Sequence, residues 1–302
     1  MIQSPLNYTG GKYKLLPQIL PLFPEHMNGF VDLFCGGCNV GINVSANHYL
    51  YNDFCEPLIN LYRTMKNTNE DDFIEGVTKI IARYNLSDTK KYGYSYYGCE
   101  SGKGLAEYNR EGYMRLRDDF NESTDRNYEY YLSLYVLIIY AFNNQIRFNK
   151  DGKFNLPPGK RDFNQKMYDK VVEFIRTLHN QEAQFTSLDF RALSSDYITS
   201  SDFVYADPPY LITCATYNEQ GGWTEKDETD LLLLLSDLDN RGVKFALSNV
   251  LESKGCKNKI LEDWIESNDR YKLIDLNYSY ANANYQRKNK ERKSKEILVI
   301  NY

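Results

Sequence analysis

The chain has 302 residues, 42% hydrophobic and 25% charged, with a formal net charge of −5. No apolar run approaches membrane length and the amino terminus is not signal-like, so composition predicts a soluble, cytoplasmic protein of one large or two modest domains and argues against a membrane-spanning one. Cys35, Cys38, Cys55, Cys99, Cys214 and Cys256 show no disulfide-framework spacing, and with three histidines the pair Cys35-x-x-Cys38 lacks the second half of a zinc site, so no metal is expected.

Net acidity alone argues against a polyanionic partner, but the distribution does not. Residues 287–295 carry +5 and residues 144–170 carry +4, which leaves the rest of the chain at −14. Two basic patches on an acidic body fit either a polyanion on one face or a solvated charged surface.

In chain order, Asn7-Tyr8-Thr9-Gly10-Gly11-Lys12 is a small-residue turn closed by a lysine, followed by a helix-like stretch from Lys14 to Leu20. The paired glycines allow close backbone approach to a ligand, and the run is too short for a P-loop. Gly29 to Gly37 reads as a strand and glycine turn, followed by a helix from about Asn39 to Asn47. A short strand, Tyr49 to Asn52, then ends at Asp53. Asp53 lies 21 residues after Asp32, the interval at which nucleotide-binding α/β folds place an acid for ribose hydroxyls. Asp32 could hold a cationic amine. The glycine spacing favours a single nucleoside over a dinucleotide.

Between Glu56 and Arg126, apolar residues recur at three and four, predicting helices around a Tyr/Gly/Ser-rich loop from Tyr92 to Gly104. Tyr128 to Phe142 is a strongly apolar helix. Residues 142–157 follow with Asp151-Gly152 between arms rich in amides and basic groups. That is a hairpin signal, and such a ribbon suits reading base edges in a major groove. After a helix over Lys166 to Asn180 come a strand from Gln184 to Ser187, a helix from Thr224 with capping-box spacing to Asp227, and a strand from Val243 to Ser248. A helical piece at Ile260 to Ile265 precedes strands over Lys272 to Tyr280 and Glu296 to Tyr302, which bracket the basic loop.

The centre of this pattern is Asp202 to Tyr210, where the apolar strand Phe203 to Ala206 is stopped by Pro208 and Pro209. Asp207 and Tyr210 are thus set at a strand mouth, where open α/β sheets bind ligands. An exocyclic base amine is a poor nucleophile because its lone pair is delocalised. Asp207 and the Pro208 carbonyl could each accept one N–H and free that pair, with the Tyr210 ring stacked on the base.

Tyr8 to Lys12, Asp32 to Gly37, Arg147-Phe148-Asn149 with Gly152 and Phe154 to Pro157, and Asp207-Pro208-Pro209-Tyr210 together resemble the four ordered signatures of the Dam-type, D12 class (alpha group) N6-adenine DNA methyltransferases. The runs Phe30 to Gly37, Asp202 to Thr213 and Arg241 to Leu251 resemble in particular the Dam enzymes of T-even bacteriophages. The resemblance implies an α/β, Rossmann-like methyltransferase sheet (residues 1–56 and 166–302) with an inserted, mostly helical DNA-recognition domain (residues 57–165) carrying a β-hairpin. It implies S-adenosyl-L-methionine as cofactor, held by Tyr8, Gly10, Lys12, Asp32, Phe34, Gly36, Asp53, Phe190 and Asp207, with Phe190 against the adenine ring. Asp207, Pro208, Pro209 and Tyr210 are the implied catalytic residues.

The implied partner is double-stranded DNA, with no membrane and no obligate protein partner, and the target adenine is flipped out of the helix, commonly in GATC. Arg147 matches the guanine-reading arginine, Asn143 and Pro157 matching contact positions, and Phe142 a wedging aromatic. Gln145 stands where many relatives have an apolar residue for a thymine methyl. A glutamine could instead pair with adenine or relax that position. Asn149, Arg161, Arg287 and Lys288 are further expected DNA contacts, the last two to phosphates. Alternatives are an RNA or protein-amide methyltransferase, since the same tetrapeptide serves those amines, and a DNA-binding regulator with an inactive cofactor site.

Overall fold

A computed structural model describes residues 1–99, 104–193, 197–212, 222–253, 255–277 and 295–302. It divides into two compact units, one of residues 1–11, 36–43 and 55–185, the other of residues 12–35, 44–54 and 186–302.

The second unit is a sheet with helices. Its strands are β1 (Gly29–Asp32), β2 (His48–Asn52), β4 (Asp202–Ala206), β5 (Lys244–Ser253), β6 (Cys256–Lys257), β7 (Lys272–Leu276) and β8 (Lys295–Ile300), in the order β2-β1-β4-β5-β8-β7, with β6 on β5. β3 (Ala183–Thr186) runs into this unit from the first. β1, β2, β4 and β5 are mutually parallel, whereas β8 is antiparallel to both β5 and β7. The chain leaves β1 to one side for β2 and later returns on the other side for β4. The crevice beyond the carboxyl ends of β1 and β4 is therefore a topological switch point.

β1 and β4 are buried along their whole length, which is why each reads as an unbroken apolar run. On one sheet face Val31, Val204, Phe245 and Val299 meet Leu231, Leu235 and Leu238 of α8 (Glu225–Asn240) and Leu261 of α9 (Lys259–Glu266). The alternate residues Phe30, Phe203 and Tyr205 gather with Phe23. The capping box of α8 is formed as expected, with Thr224 and Asp227 bonding each other's backbone. The short helix α1 (Leu16–Ile19) is flanked by 3-10 turns.

The first unit is helical: α2 (Glu56–Asn67), α3 (Glu70–Arg83), α4 (Thr89–Tyr96), α5 (Ala106–Glu122), α6 (Tyr128–Tyr140) and α7 (Gln165–Asn180). α6 is buried on nearly every side, and α2, α3 and α5 pack around it. Among the described residues no helix is long and apolar enough to cross a membrane.

Three expectations are corrected. The helix from Asn39 to Asn47 is only a 3-10 turn, Gly41–Asn43. Val40, Gly41, Ile42 and Val44 are poor helix formers, and the Asn39 and Asn43 side chains instead bond the backbone of Ser4 and Ile2. The Tyr92 to Gly104 loop begins inside α4, which is broken at Gly93 (φ 73°). The Asp151-Gly152 hairpin forms, but as two isolated bridges, Phe148 to Phe154 and Ala141 to Pro158, and not as a continuous ribbon. Amide side chains substitute for the ladder: Asn149 accepts from Asp151 and Lys153, and Asn121 of α5 clamps Phe154 in both directions.

Candidate active site

β4 ends at Ala206, and Pro208 and Pro209 prevent both further pairing and a helix, so Asp207 stands at the switch point. Its Oδ1 lies 2.8 Å from Nζ of Lys12 and accepts from the Tyr210 hydroxyl at 3.0 Å. Lys12 is 4% exposed, and its ammonium sits 5.0 Å from the centroid of the Tyr210 ring. Burial pushes the Asp207 carboxyl above the usual aspartate value. Lys12 opposes that rise and Glu296 adds to it.

Glu296, which sequence reasoning passed over, is the fourth member of this group. It is 2% exposed at the start of β8, 3.4 Å from Lys12 Nζ, and accepts from the Tyr210 hydroxyl at 3.0 Å. The available signal was a lone acid in the strand Lys295-Glu-Ile-Leu-Val-Ile, a position that otherwise calls for an apolar residue.

Asp32 is buried at the tip of β1, and Asp53 is half-buried just past the end of β2. Asn52 fixes this edge: its side chain donates to the carbonyls of Leu33 and Leu188 and accepts from Thr186. Phe34 and Phe190 are neighbours, with ring centroids 5.5 Å apart, and Trp223 closes a triangle at 5.7 and 5.6 Å. Trp223 was also missed. Its indole N–H donates at 2.6 Å to Glu228, a fully buried carboxylate that also accepts from Asn249 and Asn258. Phe54, beside Asp53, is 72% exposed.

The remaining motif residues lie in the first unit. Gly10 takes φ 80°, and Gly36 (φ 45°) turns so tightly over the Tyr8 ring that a Cβ there would come within 2.9 Å of it. Tyr62 donates to the Gly36 carbonyl. The same amino-terminal turn meets the loop after α6: Asn7 donates to the Asn143 carbonyl at 2.7 Å, and Gln145 donates to the Thr9 hydroxyl at 3.4 Å. Phe142 is 50% exposed, and Asn143 and Asn144 both adopt left-handed backbone. Arg147 is exposed, its Nε held by Asn155 Oδ1 at 2.7 Å. Pro157 and Arg161 are exposed and Asn149 is half-buried. Arg287 and Lys288 lie outside the described residues.

At the switch point a carboxylate and an ammonium are paired, with an aromatic group and an acid on neighbouring strand tips. Comparison with known proteins, made on the sequence, identifies the family. The profile of the D12 class N6 adenine-specific DNA methyltransferases matches residues 8–282. The chain is 38% identical to the type II methyltransferase M.FokI of Planomicrobium okeanokoites over all of its own length and 43% of that protein's. It is 36% identical to the modification methylase StsI of Streptococcus sanguinis over the same shares. With the DNA adenine methylase of Escherichia coli K12 it shares 26% identity over 81% of this chain and 79% of that one. The chain thus spans less than half the length of the first two relatives. These relatives correct the likeness to T-even phage Dam enzymes. Each of the three runs that suggested it includes residues of β1, β4 or β5, and the buried parallel pairing of these strands demands apolar sequence in any branch of the fold. The chain belongs to the D12 class of N6 adenine-specific DNA methyltransferases.

Proposed function

We propose that this chain transfers a methyl group from S-adenosyl-L-methionine to N6 of an adenine flipped out of duplex DNA, with GATC as preferred site. The observation that carries the reading is the Lys12 to Asp207 pair beyond the end of β4, next to Tyr210. The residues present suit the donor. Asp53, just past β2, would accept from ribose hydroxyls, Asp32 would hold a cationic amine, and the Phe34, Phe190 and Trp223 group with the exposed Phe54 would offer aromatic surface for an adenine ring. Bound there, S-adenosyl-L-methionine would supply an already activated methyl group on a positively charged sulfur.

The chain's own work is alignment. Lys12 and Tyr210 both engage Oδ1 of Asp207, so Oδ2 and the Pro208 carbonyl are the acceptors for the two amine hydrogens. Accepting both favours a pyramidal nitrogen with its lone pair aimed at the methyl carbon. Once it carried the methyl group, the nitrogen would be acidic enough to lose a proton, which Asp207 or water would take. The Tyr210 ring, stacked on the flipped base, would return about 1–3 kcal/mol of lost stacking.

Recognition is assigned to residues 57–165 and methyl transfer to residues 1–56 and 166–302. Phe142 enters the opened duplex, Arg147 reads the first guanine, Asn143, Gln145, Asn149, Pro157 and Arg161 line the groove, and Arg287 and Lys288 meet phosphates. The test is to methylate a plasmid with purified protein and digest it. Resistance to a nuclease blocked by GATC methylation is the expected result. Full cleavage with label in another context refutes the site, and no label in adenine refutes the activity.

A further inference from the structure

We propose that Glu296 is a positioning residue for methyl transfer, holding Lys12 and Tyr210 where they orient Asp207. The sheet gives no reason for a carboxylate at this position. On the two flanking strands the residues opposite Glu296 are Val250 and Leu276, and an apolar side chain would serve that packing without desolvating a charge. Contacts with the Lys12 ammonium and the Tyr210 hydroxyl help offset the cost of burying it, and these two groups also hold Oδ1 of Asp207.

The four groups bring together one ammonium, two carboxylates and one phenol. A phenol has a single proton, so Tyr210, 3.0 Å from each carboxylate, serves one at a time unless the other is itself protonated. The hold of Glu296 on Lys12 and Tyr210 therefore governs how strongly those two groups hold Asp207. Other titratable groups nearby are Asp32 at the tip of β1 and Tyr205 on β4, whose hydroxyl meets Ser248 of β5. The rise of the Asp207 carboxyl above its usual value, to which Glu296 contributes, agrees with this arrangement.

The inference rests on the methyl-transfer reading, and the experiment separates the two. Single-turnover methyl transfer to a GATC duplex is measured against pH for the wild type, Glu296→Gln, Glu296→Asp, Glu296→Ala and Tyr210→Phe, with S-adenosylhomocysteine binding by calorimetry as the check on the cofactor site. Glu296→Gln keeps an acceptor and removes the charge, so the acid limb of the rate should move to lower pH by about one unit. Glu296→Asp keeps the charge and should leave the limb in place. Tyr210→Phe removes a donor to Asp207 and should move the limb to higher pH. Glu296→Ala should lower the rate by about 10- to 100-fold with cofactor affinity kept. An active wild type whose limb is unmoved in Glu296→Gln, or whose rate is unchanged in Glu296→Ala should the glutamine variant not fold, overturns the role of Glu296. A wild type without methyl transfer overturns the underlying reading instead.

Discussion

The Asn7 side-chain amide donates to the backbone carbonyl of Asn143 at 2.7 Å, joining two stretches 136 residues apart. Asn143 follows Phe142 in the loop after α6, the proposed recognition loop, and Asn7 precedes Tyr8, whose ring lies against Gly36. A side-chain hydrogen bond of this kind contributes about 0.5–1.5 kcal/mol. Asn7→Ala should therefore weaken duplex binding about 2- to 10-fold, while S-adenosylhomocysteine affinity holds. Calorimetric titration with each ligand measures this. Loss of cofactor affinity with DNA affinity intact would place the bond in the service of the cofactor turn instead.

Asp207→Ala removes an acceptor for the amine in a largely buried site and should lower the methyl-transfer rate by about 10²–10³ or more. It also leaves Lys12 beside Glu296 alone, which keeps that cation paired. Circular dichroism should thus show an intact fold. A folded Asp207→Ala protein with near wild-type turnover would remove Asp207 from the chemistry.

Trp223 reports on the proposed cofactor site. The chain has two tryptophans, and Trp264 is packed elsewhere against Phe245 and Tyr271, so Trp264→Phe leaves a single probe. In that background S-adenosylhomocysteine should change Trp223 emission on binding, and Trp223→Ala should weaken binding by roughly 1 kcal/mol, the scale of one aromatic contact. Binding seen by calorimetry with unchanged emission would take Trp223 out of the site.

Arg147→Ala should lose preference at the first guanine by about 1–3 kcal/mol, with cofactor affinity retained. Asn155, which holds the Arg147 Nε, should show a weaker version of the same effect when changed to Ala. Competition between duplexes differing at that base measures both. An equal loss on every duplex would reassign Arg147 to phosphate contact.

Local sequence carried most of the element assignments. β1 and β4 were legible because strands buried on both faces must be apolar throughout, α8 because its cap chemistry is spelled out at Thr224 and Asp227, and α6 because it is apolar all round. The strand, turn, helix pattern misled at Asn39 to Asn47, where propensity is weak and side-chain amides found partners at Ile2 and Ser4, contacts no local window contains. The four motifs could be read as separate stretches for the same reason: backbone conformation at Gly10 and Gly36, and the stop at Pro208, are properties of a few consecutive residues.

What only the tertiary structure decided is which charges share a space. Lys12, Asp207, Tyr210 and Glu296 come from the amino-terminal segment, the loop after β4 and the last strand, and nothing in their spacing pairs them. The strand order decides it: β8 inserts antiparallel between β5 and β7, bringing its first residues to the edge where the parallel strands end. The carboxylate of Glu296 is thereby buried within reach of Lys12 and Tyr210. The same holds for Trp223, whose place beside Phe34 and Phe190 depends on a buried bond to Glu228, because burial makes a distant hydrogen-bond partner obligatory while sequence shows only that a polar residue is present.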